Sequence, residues 1–105
     1  MDIKIFDGKI KTSDAQHEYI MNKVGSASGR LEGTSCTVEV RLADVNGPKG
    51  GLDKTCSIVV TPPGHATLRI EEKAAEYYAA IDAAAATLKN SLARALERTK
   101  TNGPR

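Results

Sequence analysis

The spacing of apolar residues changes several times along this chain, and each change predicts an element. Ile3 and Ile5 alternate with polar neighbours over Asp2 to Phe6, which predicts a short strand ended by Gly8. In TSDAQHEYIMNKV the period lengthens. Ser13 is a good N-cap, and Gln16 three residues later completes a capping-box pattern. Ala15, Ile20, Val24, Ala27 and Leu31 follow at near-helical spacing. A first helix is expected from about Asp14 to Ser28, weakened in its last turns by Gly25 and Gly29.

Alternation returns in SCTVEVRLAD, where Cys36, Val38, Val40 and Leu42 share one face. The turn-rich NGPKGG follows. KTCSIVV then predicts a strand with Cys56, Ile58 and Val60 inward, PPG a tight turn, and HATLRI a strand with Ala66, Leu68 and Ile70 inward. Finally Tyr78, Ile81, Ala85, Leu88, Leu92 and Ala95 step by threes and fours. That stripe predicts a helix from about Lys73 to Thr99, ending before Gly103 and Pro104.

The order β-α-β-β-β-α defines an α+β fold in two layers. A right-handed crossover makes the first two strands parallel neighbours, and the last three form an antiparallel meander. The resulting four-stranded mixed sheet has one apolar face, so both helices must cover that face. The other face, with Thr37, Glu39, Arg41, Ser57, Thr67 and Arg69, is expected to be wet. Residues 1–100 make one domain and 101–105 a short tail.

Composition narrows the function. The 105 residues are 40% hydrophobic and 27% charged, with no Trp and one Phe, so Ile, Val, Leu and Ala must build a thin core. No stretch approaches the roughly 20 apolar residues of a membrane helix. MDIKIFDGK has no long apolar run either, so a cytoplasmic protein with free thiols is expected. Cys36, Cys56, His17 and His65 lack metal-ligand spacing, and no nucleophilic or paired-carboxylate signature appears. No enzyme, metal, cofactor or small-molecule substrate is expected. NGPKGGLDK departs from the phosphate-binding GxxxxGK[ST] pattern and reads as a hairpin connection, though Lys49 and Lys54 can aid polyanion binding.

Net charge is only +2, but it is unevenly distributed. Glu71 to Asp82 holds four acids and one base; Ala83 to Arg105 holds five bases and one acid. Acids at a helix start and bases at its end complement the helix dipole, yet that effect fades within a turn of each end. Arg94 and Arg98 share a face, Lys23 sits late in the first helix, and Arg30 lies just past it. Side-by-side helices would let these ends form one basic strip suited to phosphate backbones. Solvated surface charge is the plain alternative.

SDAQHEYIMNKV resembles the first-helix motif of the ribosome hibernation-promoting factor family, also called ribosome-associated inhibitor A or sigma-54 modulation proteins. Ser13, Asp14, Ala15, Tyr19, Ile20, Lys23 and Val24 fill that motif. Glu76, Tyr78, Ala80, Ile81 and Asp82, followed by Leu88, Leu92, Arg94 and Arg98, resemble its second signature. The resemblance implies a fold similar to a double-stranded-RNA-binding domain with an added first strand. It implies binding to 16S rRNA of the small ribosomal subunit, and so to the 70S ribosome, with mRNA and tRNA sites blocked during stress or stationary phase.

By position, Lys23, Arg94 and Arg98 fall where the resemblance implies RNA contacts, and His17 stands near another such place. Arg30, Lys89 and Lys100 are further candidates, and Lys9 and Lys11, before the first helix, weaker ones. Ser26, Gly29, Thr87 and Asn90 stand where many members are basic, which implies fewer phosphate contacts here. The chain is expected to act as a monomer. The alternatives are a protein-binding regulatory domain of the same fold without strong ribosome affinity, and an acylphosphatase-like enzyme, whose topology needs a strand after the last helix.

Overall fold

The computed structural model describes residues 1–8, 11–44 and 53–101, with side chains through Glu97. Strand β1 spans Asp2–Phe6, helix α1 Asp14–Ala27, β2 Thr37–Asp44, β3 Lys54–Val60, β4 Leu68–Ala74 and α2 Tyr77–Thr101. A single 3-10 turn, Gly29–Leu31, follows α1. The sheet order is β1-β2-β3-β4. β1 runs parallel to β2, and the other two neighbouring pairs are antiparallel.

The start of α1 is set by its own side chains. The Gln16 amide donates to Ser13 Oγ at 3.1 Å, and the Ser13 amide donates to Gln16 Oε1 at 3.0 Å. Two amides with no partner inside the helix are thereby satisfied. After β3, Pro62-Pro63-Gly64-His65 closes a turn in which the His65 amide donates to the Pro62 carbonyl at 3.0 Å. Gly64 has φ +78, the conformation that the third position of a type II turn requires, and Pro63 presets the position before it.

The core fills the space between one sheet face and the two helices. Val40, Ile58 and Ile70 are aligned across three strands. Ile20 and Val24 from α1, and Ile81, Leu88 and Leu92 from α2, close over this face and are fully buried. α2 lies on β3 and β4 and beside α1, while α1 covers β1. Ala80 and Ala84 are also fully buried, and their small side chains let α2 approach the sheet closely. Both helices therefore share one face. On the other, Glu39, Arg41 and Arg69 are exposed, and the Arg41 guanidinium lies 5.3 Å from the centroid of the Phe6 ring.

Several sequence expectations are corrected. HAT does not join the last strand: Ala66 is exposed, and pairing begins where Leu68 meets Val60. The same strand runs on to Ala74, because Cys56, Thr55 and Lys54 offer ladder partners to Glu72, Lys73 and Ala74. α2 consequently starts at Tyr77 instead of Lys73, with the Ala80 amide donating to the Glu76 carbonyl at 3.0 Å. Tyr78, expected in the core, is 40% exposed, and Tyr77 packs against the core instead. Cys56 is fully buried as expected, but Cys36 precedes β2 and is half-buried, its Sγ 3.2 Å from Thr34 Oγ1.

Leu88 lies at the centre of the helix–sheet contact with no exposed surface. Leu88→Ala is expected to destabilise the fold by about 2–5 kcal/mol, read from the midpoint of urea unfolding. A loss below about 1 kcal/mol would show that the site collapses around the deletion and is less tightly packed than described.

Candidate nucleic-acid interface

Two contacts set the relative direction of the helices. Near their amino-terminal ends, the Tyr19 hydroxyl donates to Asp82 Oδ1 at 2.6 Å, and Lys23 Nζ lies 3.6 Å from the same oxygen. Further along, Arg30 Nη2 is 3.8 Å from Glu97 Oε1. Rising numbers in α1 meet rising numbers in α2, so the helices run in the same direction. A trough opens between them. Lys23, Asp82 and Ala86 line one part of it, Arg30 and Asn90 the next, and Ser26, Ala27 and Lys89 belong to both. Its floor is small side chains and its rims are cationic.

The acids in the trough do not cancel its positive character. Lys23 and Asp82 are each about half exposed, and Arg30 and Glu97 more so. Exposed pairs of this kind contribute at most about 1 kcal/mol, so an incoming phosphate can displace them. Lys89 forms no ion pair among the described residues.

The predicted basic residues do not form one strip. Lys23, Arg30 and Lys89 share the trough. Arg94 faces the other flank of α2, in a shallow hollow with Leu68, Ser91 and Ala95. Thr87 marks that same flank, its hydroxyl donating to Glu72 Oε2 on β4 at 2.7 Å. The separation follows from helix geometry, since five residues turn an α-helix by about 140°. Arg98 occupies the α2 position one turn beyond Arg94, and Lys100 lies two residues further. The side chains of both lie outside the described residues, as does all of Lys9. Lys11 and His17 are exposed near Asp7, away from the trough. Asp7 accepts the Thr12 amide at 2.8 Å, and that bond, with the nearby Lys11 and His17, holds its carboxyl below the ordinary aspartate value.

Sequence reasoning missed the clasp of Tyr19, Lys23, Tyr78 and Asp82. The Tyr19 and Tyr78 rings meet edge to face with centroids 4.9 Å apart, and Lys23 Nζ sits 5.6 Å from the Tyr19 ring. A signal was present: each helix carries Tyr and a charged residue four apart, hence on one face. Also missed was a knot at the end of the β2–β3 hairpin. Lys54 Nζ is 2.9 Å from Asp44 Oδ2, 3.3 Å from Asp53 Oδ1 and 5.8 Å from the Tyr77 ring. Asp53 is only 1% exposed. The hydrogen bond to Asp44, then that to Asp53, raises the Lys54 pKa, so this ammonium stays charged to hold the buried acid.

Neither cysteine forms a disulfide, and burial pushes the Cys56 thiol up to about 12, which keeps it protonated and unreactive at neutral pH. Among the described residues no group of three His, Cys, Asp or Glu is placed to hold a metal ion.

Sheet and helix pair together define a small α+β domain whose two helices form a cationic trough. The chain belongs to the sigma 54 modulation protein / S30EA ribosomal protein family, whose pattern matches residues 3–100. Among solved structures, it is similar to the N-terminal domain of Thermus thermophilus Protein Y, at 29% identity and TM-score 0.72, over 90% of this chain and 98% of that one. A ribosomal subunit interface protein from Coxiella burnetii shares the fold at 16% identity and TM-score 0.63, over 90% of this chain and 96% of that one. Among curated proteins, none matches the chain by sequence.

The Tyr19–Asp82 bond has a measurable consequence. Donation to the carboxylate, then burial, raises the Tyr19 pKa above the ordinary tyrosine value of about 10. The folded protein holds that proton more tightly than the unfolded chain does. The bond's contribution to stability is therefore complete below pH about 10 and is lost as pH rises through the folded value. Asp82→Asn is expected to shift one tyrosine ionisation to lower pH in an ultraviolet phenolate titration. An unchanged titration would mean that the bond is absent in solution.

Proposed function

We propose that this protein is a ribosome-associated hibernation factor that binds 16S rRNA of the small subunit and blocks the mRNA and tRNA positions by occupying their space. Membership of the sigma 54 modulation / S30EA family supports ribosome association, and the name of the Coxiella burnetii relative places that protein at the ribosomal subunit interface. The observation that carries the rRNA reading is the trough, where α1, the 3-10 turn after it and α2 hold Lys23, Arg30 and Lys89 over a floor of small residues.

The inhibition needs no bond-making step. A phosphate backbone seated on the cationic rims releases counterions, and the domain's bulk excludes other occupants. Arg94, with Arg98 one turn on, lies on the second flank of α2. A wedge between two RNA walls meets phosphates on both flanks, so separate cationic faces suit a domain lying in a cleft. A cytoplasmic monomer acting on the 30S and 70S particles fits this role. Among the described residues no helix is long and apolar enough to cross a membrane.

The test is co-sedimentation with purified 30S subunits. Lys23→Glu combined with Lys89→Glu is expected to weaken binding at least tenfold, about 1.4 kcal/mol, with the circular dichroism spectrum unchanged. Each lost phosphate contact should also flatten the log–log salt dependence by roughly 0.7–0.9. Unchanged affinity and salt slope would refute the rRNA reading. Binding that persists on ribosomal proteins stripped of RNA would favour a regulatory domain with a protein partner.

A further inference from the structure

The trough has an aromatic end that phosphate binding does not use. Lys23 and Asp82 both line the trough. One turn before them, on the same helix faces, stand Tyr19 and Tyr78. The helices run in the same direction, so these rings sit at the amino-terminal end of the trough, opposite Arg30.

Tyr19 is spoken for. Its hydroxyl is bound to Asp82, its ring meets Tyr78, and Lys23 approaches it as a cation. Tyr78 is not. It is 40% exposed, and its contact with Tyr19 is perpendicular, with an interplanar angle of 86°. Edge-to-face contact uses one face of one ring at most. Tyr78 therefore keeps at least one face that Tyr19 does not cover. Of its chain neighbours, Tyr77 packs against the core and Ala79 is small and exposed, with exposed Glu76 two residues before it, so Tyr78 projects from the start of α2 beside a small residue. The Tyr19 ring braces it from the side, which limits the rotamer freedom lost when something stacks on it.

We infer that Tyr78 is a stacking platform for one unpaired RNA base, with the adjoining backbone led into the trough past Lys23. The inference rests on the rRNA reading above and names the kind of RNA taken at this end: a single-stranded nucleotide. A cationic groove that tracks the backbone, joined to an exposed aromatic face, is the combination by which proteins hold single strands. Stacking on a ring accepts any base, so no base identity is selected at this position. Asp82 acts here as a positioning residue, since its carboxylate ties Tyr19 and Lys23 together and holds the brace against Tyr78.

The chain has no Trp, and two of its three Tyr, Tyr19 and Tyr78, stand at this end, so the part of the tyrosine fluorescence that differs between the wild type and Tyr78→Ala reports on it. The full chain would be titrated with a single-stranded oligoadenylate RNA and with an abasic strand of equal length. The expected result is quenching by the base-bearing strand and at least about fivefold tighter binding than to the abasic one. Tyr78→Ala should erase that difference, and Tyr78→Phe, which keeps the ring, should retain it. Because Tyr78 is exposed, both variants should fold, with circular dichroism as the check.

Three results would overturn the inference: equal binding of the two strands, no quenching by either, or a preference that survives in Tyr78→Ala. The 30S experiment separates this inference from the reading beneath it. If Lys23→Glu with Lys89→Glu abolishes subunit binding but Tyr78→Ala changes nothing, the base platform falls and the rRNA reading stands. If the charge reversals leave subunit binding intact, the rRNA reading falls and takes the platform's role on the ribosome with it.

Discussion

A sheet with one apolar face can be covered only from one side, and most of the molecule follows from that. Val40, Ile58 and Ile70 make a hydrophobic row that needs a lid, and Ile81, Leu88 and Leu92 supply it. Apolar burial at about 25 cal/mol per Å2 makes this contact the largest single stabilising element of so small a domain. Once α2 is seated over β3 and β4, α1 has only the space over β1 and must lie beside it. The neighbouring helices leave a trough, and the residues that core packing does not claim line it. The proposed functional surface is thus the outer side of a packing solution.

Polar contacts then decide how that surface is arranged. The clasp of Tyr19, Lys23 and Asp82 contributes little to stability compared with the core, because its charged members are each about half exposed. Its effect is geometric: it fixes the rotation of two helices about their axes and places Lys23 at the trough instead of in open solvent. The knot of Lys54, Asp44 and Asp53 works under different physics. Asp53 is buried, and without the Lys54 ammonium its charge would be uncompensated in a poorly solvated place. One cluster is held loosely enough for a ligand to compete with it, whereas the other must stay closed.

Much of the fold was legible in sequence because short-range rules set it. Val38, Val40 and Leu42 alternate and are buried, and Ser13 with Gln16 forms the capping box that their spacing implies. Legibility failed where long-range pairing outweighed local pattern. Nothing in EEKA announces a strand, yet β3 supplies its ladder partners and delays α2 to Tyr77. Tyr78 was misplaced for a related reason, since a stripe of threes and fours cannot say which of two adjacent tyrosines faces the sheet. The basic residues themselves were visible. That Lys89 and Arg94 diverge around the helix follows from their spacing, but what lies on each flank, α1 or β4, is a matter of topology.

The positions where the resemblance to the family leads basic residues to be expected acquire meaning in this geometry. Ser26, Gly29 and Asn90 all line the trough, whereas Thr87 is on the β4 flank and bonded to Glu72. The expected missing charges thus fall mainly on one surface, and it is the surface where Lys23, Arg30 and Lys89 remain. A trough with fewer cations gains less from counterion release and depends more on contacts that salt does not screen. An exposed ring at the end of such a trough is one such contact. On the proposed rRNA reading, weak electrostatics along the rims and a braced aromatic at the head would be two parts of one arrangement, in which shape and stacking carry a larger share of recognition than charge.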